Sequence, residues 1–188
     1  MQALWMVVAS LLFAAMGVCV KLAADTFSAA EIVFYRSAIA LALMTVLVRA
    51  RGIAFATPYW RLQLFRGASG FVSLLMYFYA IAMLPLATAV TLNYTSPLFL
   101  AVYFAAFAGM RLRAGMVVAL AIGFVGVVLL LRPTLAADQL LGGLIALGSG
   151  IISGLAYFNV RELGTRGEPE ARTVFYFSLF ATVCSALW

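Results

Sequence analysis

Apolar runs separated by short polar breaks recur along the whole chain, and each run is about as long as a bilayer is thick. The pattern predicts helical spans at about residues 4–23, 31–48, 66–84, 86–108, 114–131, 141–160 and 172–188, the last reaching the final residue. A spanning helix needs roughly 20 mostly apolar residues, and here such runs follow one another with no soluble stretch of domain size between them. The expected fold is therefore all-α, a multi-pass bundle in a membrane. The first run has no basic segment before it and is long for a signal-peptide core, so it reads as a retained helix.

Composition agrees with this pattern and charge orients it. The chain of 188 residues is 66% hydrophobic and 10% charged, with a mean hydropathy of +1.13. Twelve basic residues give a net charge of +6. Of these, Arg49, Arg51, Arg61, Arg66, Arg111, Arg113, Arg161, Arg166 and Arg172 flank alternate connections, whereas the opposite connections hold only Lys21 and Arg132. Positive residues stay on the cytoplasmic side, so the N-terminus is expected in the cytoplasm and the basic excess needs no nucleic-acid partner. There is no histidine, and the two cysteines, Cys19 and Cys184, lie far apart within apolar runs, which predicts neither a metal site nor a disulfide framework. The six acidic residues lie in loops or at span edges, so no acid-base pair is expected inside a span and an enzyme is the weakest reading. No phosphate-binding glycine loop interrupts the spans either, and no cofactor is expected.

Displacing the sequence against itself by 141 residues lays VFYRS at 33–37 on VFYFS at 174–178 without a gap. Ala15 then falls on Ala156, Leu22 on Leu163, Ala30 on Ala171 and Ala40 on Ala181. The matches are few and of common membrane residues, so coincidence competes with a true repeat. Five spans separate the copies, and an odd number turns the second upside down relative to the first. Inverted repeats with a substrate site between the halves are the architecture of many secondary transporters.

The repeat makes Arg36 an exception, because its partner position is Phe177. An arginine at a helix centre costs roughly 2.5–3.5 kcal/mol on insertion scales, and roughly 0.3–0.6 kcal/mol is recovered per strongly apolar neighbour, so the span still inserts. Two roles are open to Arg36: reaching up to the interface near Glu31, or facing a water-filled cavity.

The fourth span contains TLNYTSP at 91–97, the most polar stretch within any span. Pro97 cannot donate to the carbonyl of Asn93, which predicts a kink with loose acceptors. Asn93, Tyr94 and Thr95 are candidate cavity-lining groups, and packing against neighbouring helices is the equal alternative. Tyr35, Tyr77, Tyr79 and Tyr157 add aromatic surface with a hydroxyl, as Tyr94 does, suited to an amphipathic metabolite. Gly142, Ala146, Gly150 and Gly154, at spacing four, let a neighbouring helix approach closely, as do Gly115, Ala119 and Gly123.

FAAMGVCVKL at 13–22, FYRSAIA at 34–40, YAIAMLPLATAVTLNYTSPLF at 79–99 and GFVGVVLLLRP at 123–133 together resemble the EamA-type transporters of the drug/metabolite transporter superfamily. That resemblance implies a ten-helix bacterial inner-membrane carrier of two inverted five-helix repeats, moving small metabolites or drugs, commonly outward. It implies a first repeat over 1–135 and the start of a second over 136–188, with about seven spans present. The family's second-helix arginine maps to Arg36, and its proline-containing fourth helix to Asn93 through Pro97. Met110 stands where such proteins often carry a glutamate, and three further helices would complete the second repeat. They would come from a segment beyond Trp188 or, in their absence, a homodimer would close the cavity. The alternative function is a non-transporting membrane fragment that acts as an assembly module.

Overall fold

The computed structural model describes residues 2–109, 114–131 and 139–187. Among them every regular element is a helix: α1 (Gln2–Ala23), α2 (Ala29–Ala50), α3 (Trp60–Met83), α4 (Leu86–Asn93), α5 (Ser96–Phe107), α6 (Ala114–Leu131), α7 (Leu140–Thr165) and α8 (Glu170–Ala186). The fold is that of a multi-pass helical membrane protein. Four rods are long and apolar enough to cross a membrane, namely α2, α3, the broken rod Leu86–Phe107 and α7, with shorter apolar helices at Val7–Ala23 and Ala114–Leu129. Met110 and the basic Arg111, Arg113 and Arg132 lie outside the described residues.

The seven expected spans thus return as eight helices, because the fourth is cut in two. The Tyr94 and Thr95 amides turn back to Val90 O at 2.9 Å and Leu92 O at 3.2 Å, tightening the chain before Pro97 restarts it in the first turn of α5. The third helix also starts six residues before its expected start, at Trp60. The polar run RLQLFR at 61–66 reads as a loop, but Gln63 is buried and its amide nitrogen reaches Thr173 Oγ1 at 3.4 Å, so tertiary contacts draw the segment into the helix. Elsewhere local chemistry sets the boundary. Ser28 opens α2 with a reciprocal capping box, its amide donating to Glu31 Oε2 at 2.7 Å and its Oγ accepting from the Glu31 amide at 3.3 Å.

The bundle is built around α7, which packs mainly on α3 and also on α4 and α5, while α2 and α8 form the second large contact. The helices α2 and α8 run antiparallel, since Ser28 through Tyr35 share a groove with Ser185 and Ala186. Small residues set the close approach of α7. A Cβ on Gly150 would meet Leu92 O at 3.0 Å, and one on Gly154 would meet Ser96 O at 3.0 Å and the Leu100 amide at 3.1 Å. The glycine ridge therefore lies against backbone on either side of the break in the fourth span. On α6, Gly123 accommodates Leu98, whereas Gly115 faces open space.

One end of the bundle is tied by polar contacts. Thr57 donates to Glu168, whose other oxygen pairs with Arg172 at 2.9 Å, and Tyr176 donates to Phe55 O at 2.8 Å. The connection between α2 and α3 is thereby fastened to that between α7 and α8. At the opposite end Val20, Val33, Ile81, Leu84, Leu92 and Ala146 form the apolar core. There Lys21 Nζ donates to Ile81 O, Ala82 O and Leu84 O at 2.7, 3.1 and 3.0 Å, capping the carbonyl end of α3 with a cation.

Candidate functional site

Between α1, α2, α3, α4, α7 and α8 lies a cavity of about 650 Å³, within the size range of small-molecule sites. Four elements place polar groups on its wall, and a fifth adds an aromatic ring. The α2 helix brings Arg36; α3 brings Arg66, Ser73 and Tyr77; α4 brings Asn93, with Tyr94 just beyond it; α7 brings Ser153 and Tyr157; and α8 brings Phe177 beside them. Phe13, Met16, Leu74, Leu86 and Val90 supply the apolar remainder. Arg66, Gly70, Ser73 and Tyr77 share one face of α3 through steps of four, three and four residues.

The residues expected from sequence divide between wall and surroundings. Arg36, Tyr77, Asn93, Tyr94 and Tyr157 line the cavity together. Thr95 is buried behind the wall and returns its hydroxyl to Leu92 O at 2.7 Å, so it serves the helix break. Tyr35 lines the separate groove beside Ser185, and Tyr79 points partly outward from α3, off the cavity wall. Pro97 lies just past the break, in the first turn of α5. Asn93 combines two roles, since its amide nitrogen donates to Ser149 Oγ at 2.9 Å while the residue also lines the cavity. Ser73 in turn donates to Ser149 O at 3.0 Å and contacts Ser153 Oγ. This network fixes α3, α4 and α7 around the cavity.

Arg66 was hidden from sequence reading because it counts as the edge of a basic loop. In the structure it sits six residues past the start of α3, about 9 Å along the axis. Its guanidinium lies over the Phe177 ring, 4.4 Å from the centroid. Gly70 makes that position possible, since a Cβ there would fall 2.2 Å from Arg66 Nη1 and 2.9 Å from the Phe177 ring. Two of its nitrogens, Nε and Nη1, are buried without an acceptor. A cation-π contact returns about 0.5–2 kcal/mol, less than the several kcal/mol that a buried charge costs to desolvate. Arg36 likewise makes no hydrogen bond or ion pair with the described residues. Among the described residues the acidic groups lie elsewhere: Glu31 caps α2, Glu162 pairs with Arg166 at 2.8 Å, and Glu168 pairs with Arg172.

No group of three or more metal-ligating side chains occurs among the described residues. What the cavity offers is two cations, several hydroxyls and an aromatic wall, which is equipment for binding.

The profile of the EamA-like transporter family matches residues 1–132. The chain is 35% identical to the pseudopaline exporter CntI of Pseudomonas aeruginosa over 94% of its own length and 62% of that protein. It is 31% identical to an uncharacterized transporter of Helicobacter pylori strain J99 over 87% of its length and 56% of that protein. The chain thus spans about six-tenths of the length of these relatives. No solved structure matches it.

Proposed function

The chain belongs to the EamA-like transporter family, and we propose that it forms the first repeat and the opening two helices of the second repeat of a bacterial inner-membrane secondary transporter. In this reading the carrier moves small metabolites or drugs outward by alternating access, with its N-terminus in the cytoplasm and three further helices completing the second repeat. Arg36, Asn93, Tyr94 and Tyr157 contact the cargo. The observation that carries the reading is the cavity itself, in which Arg36 of one copy and Phe177, its repeat partner in the other, face a common space. The similarity to an exporter favours the outward direction, and the basic residues of alternate connections favour the orientation.

Reconstitution tests it. The 188-residue chain would be placed in liposomes with and without a separately expressed segment carrying the three expected helices, and oriented by labelling a cysteine substituted at Gly52 from the cytoplasmic side. Saturable uptake of a ligand found by thermal-shift screening is expected only with both pieces present, and to be lost in Arg36→Gln. Saturable uptake by the chain alone would point to a homodimer that closes the cavity by itself. No uptake from either preparation would leave the assembly-module reading.

A further inference from the structure

We propose that the cargo of this cavity is a small organic dianion carrying two carboxylates, held by Arg36 and Arg66 together. The inference rests on the cavity being the cargo site and adds the chemical class that it takes. Two guanidinium groups face this space, and no carboxylate of the described residues lines it. In most membrane proteins an intramembrane arginine is paired with an acid or with backbone carbonyls. Among the described residues neither is, and the compensating contact of Arg66 is the face of Phe177. A bound anion supplies the missing partner, and a guanidinium meets a carboxylate with two parallel hydrogen bonds.

The repeat gives the arrangement its logic. Position 36 carries arginine and its partner position carries Phe177, so one half would hold a charge and the other none. Arg66 reaches across from α3 and lays its guanidinium on Phe177, restoring a cation at the second half. The space for it is kept by Gly70. Tyr77, Tyr94 and Tyr157 line the same cavity, and their hydroxyls make no hydrogen bond to other described residues. They are available as donors to the anion or to a polar group on its backbone. Phe13, Met16 and Leu74 give the ligand an apolar side, so an inorganic ion would leave much of the cavity unfilled.

The test is the thermal stability of the purified chain in phosphatidylcholine nanodiscs, where no anionic lipid competes. Glutarate, phthalate, inorganic phosphate, phenylalanine and benzyltrimethylammonium would be titrated at constant ionic strength. The dicarboxylates are expected to stabilise saturably, phthalate best because it also fills the apolar side. Arg36→Gln and Arg66→Gln should each weaken the apparent affinity by about tenfold or more, and the double variant should abolish it. Gly70→Ala keeps both charges yet displaces Arg66, and should weaken binding comparably. Arg61→Gln, in the first turn of α3 with its guanidinium beside Trp60, should leave it unchanged. If phenylalanine or the cation stabilises and the arginine variants do not matter, the dianion is refuted while the cavity remains a ligand site. If phosphate binds as well as phthalate, or the dicarboxylate effect survives the double variant, the anion sits elsewhere and the proposal fails. If no probe stabilises any variant, both the dianion and the cargo site are refuted.

Discussion

Helices α1 and α7 are brought into register by the 141-residue displacement and meet opposite fates. Leu22 on α1 is 70% exposed and its partner Leu163 on α7 is fully buried; Ala15 is exposed and its partner Ala156 is buried. The α7 helix is enclosed by α3, α4 and α5, whereas α1 touches α3 and α4 near its second half, through Met16, Gly17, Val20 and Lys21. Both helices are apolar and both carry small residues, so neither hydrophobicity nor repeat position decides which is buried. Neighbours decide it. In lipid an apolar face is not driven inward, and a helix is held only where a shaped surface or a polar anchor meets it. The α7 helix has such a surface in its glycine ridge, and α1 has such an anchor in Lys21.

The sharpest way to break this comparison is a matched pair of enlargements. Gly150 and Ala9 are repeat partners, and Gly150→Leu drives a side chain into the Leu92 and Asn93 carbonyls and Thr95 Oγ1, whereas Ala9→Leu projects from an exposed position. We expect a loss of about 3 kcal/mol for the first, since backbone yields poorly, and near zero for the second. Unfolding of the purified protein by graded denaturing detergent reads both, and equal losses would show that α1 is packed as α7 is.

Truncation gives a smaller contrast of the same kind. Leu163→Ala opens a cavity and should cost about 2 kcal/mol, while Leu22→Ala should stay within about 0.5 kcal/mol in the same assay. A third change addresses the anchor. Lys21→Met removes three charge-assisted bonds to α3 carbonyls and should cost about 1 kcal/mol globally. Its distinctive effect is local: hydrogen exchange should accelerate in the second half of α1 and stay unchanged in α7. Faster exchange throughout the bundle would mean that Lys21 holds more than one helix.

Much of the architecture was legible because a bilayer imposes a length that soluble proteins do not. Six of the seven spans begin within about two residues of their expected positions, and Pro97 announced the break in the fourth. What escaped was fixed by partners rather than by local pattern. The start of α3 looked like loop because Arg61, Gln63 and Arg66 are polar, and Thr173 and Phe177 from a helix over 100 residues away give Gln63 and Arg66 a place inside. For the same reason the cavity was half visible. Arg36 stood out as a charge in an apolar run and Tyr77 as one of several intramembrane tyrosines, while Arg66 was absorbed into a basic cluster and Ser73 into an ordinary span. The four-three-four spacing from Arg66 to Tyr77 was the available signal, and it needs the earlier helix start to be read.

The pair of unmatched guanidinium groups has an electrical consequence. For the carrier and cargo proposed above, the loaded cavity is close to neutral and crosses the bilayer's field almost unopposed in either direction. The empty cavity returns with two positive charges. A membrane negative inside draws that empty form back toward the cytoplasm, by up to about 2.3 kcal/mol per charge for each 100 mV. Voltage would then act on the resetting step rather than on the cargo itself, turning outward transport of an anion into a cycle that an energised cell keeps moving one way.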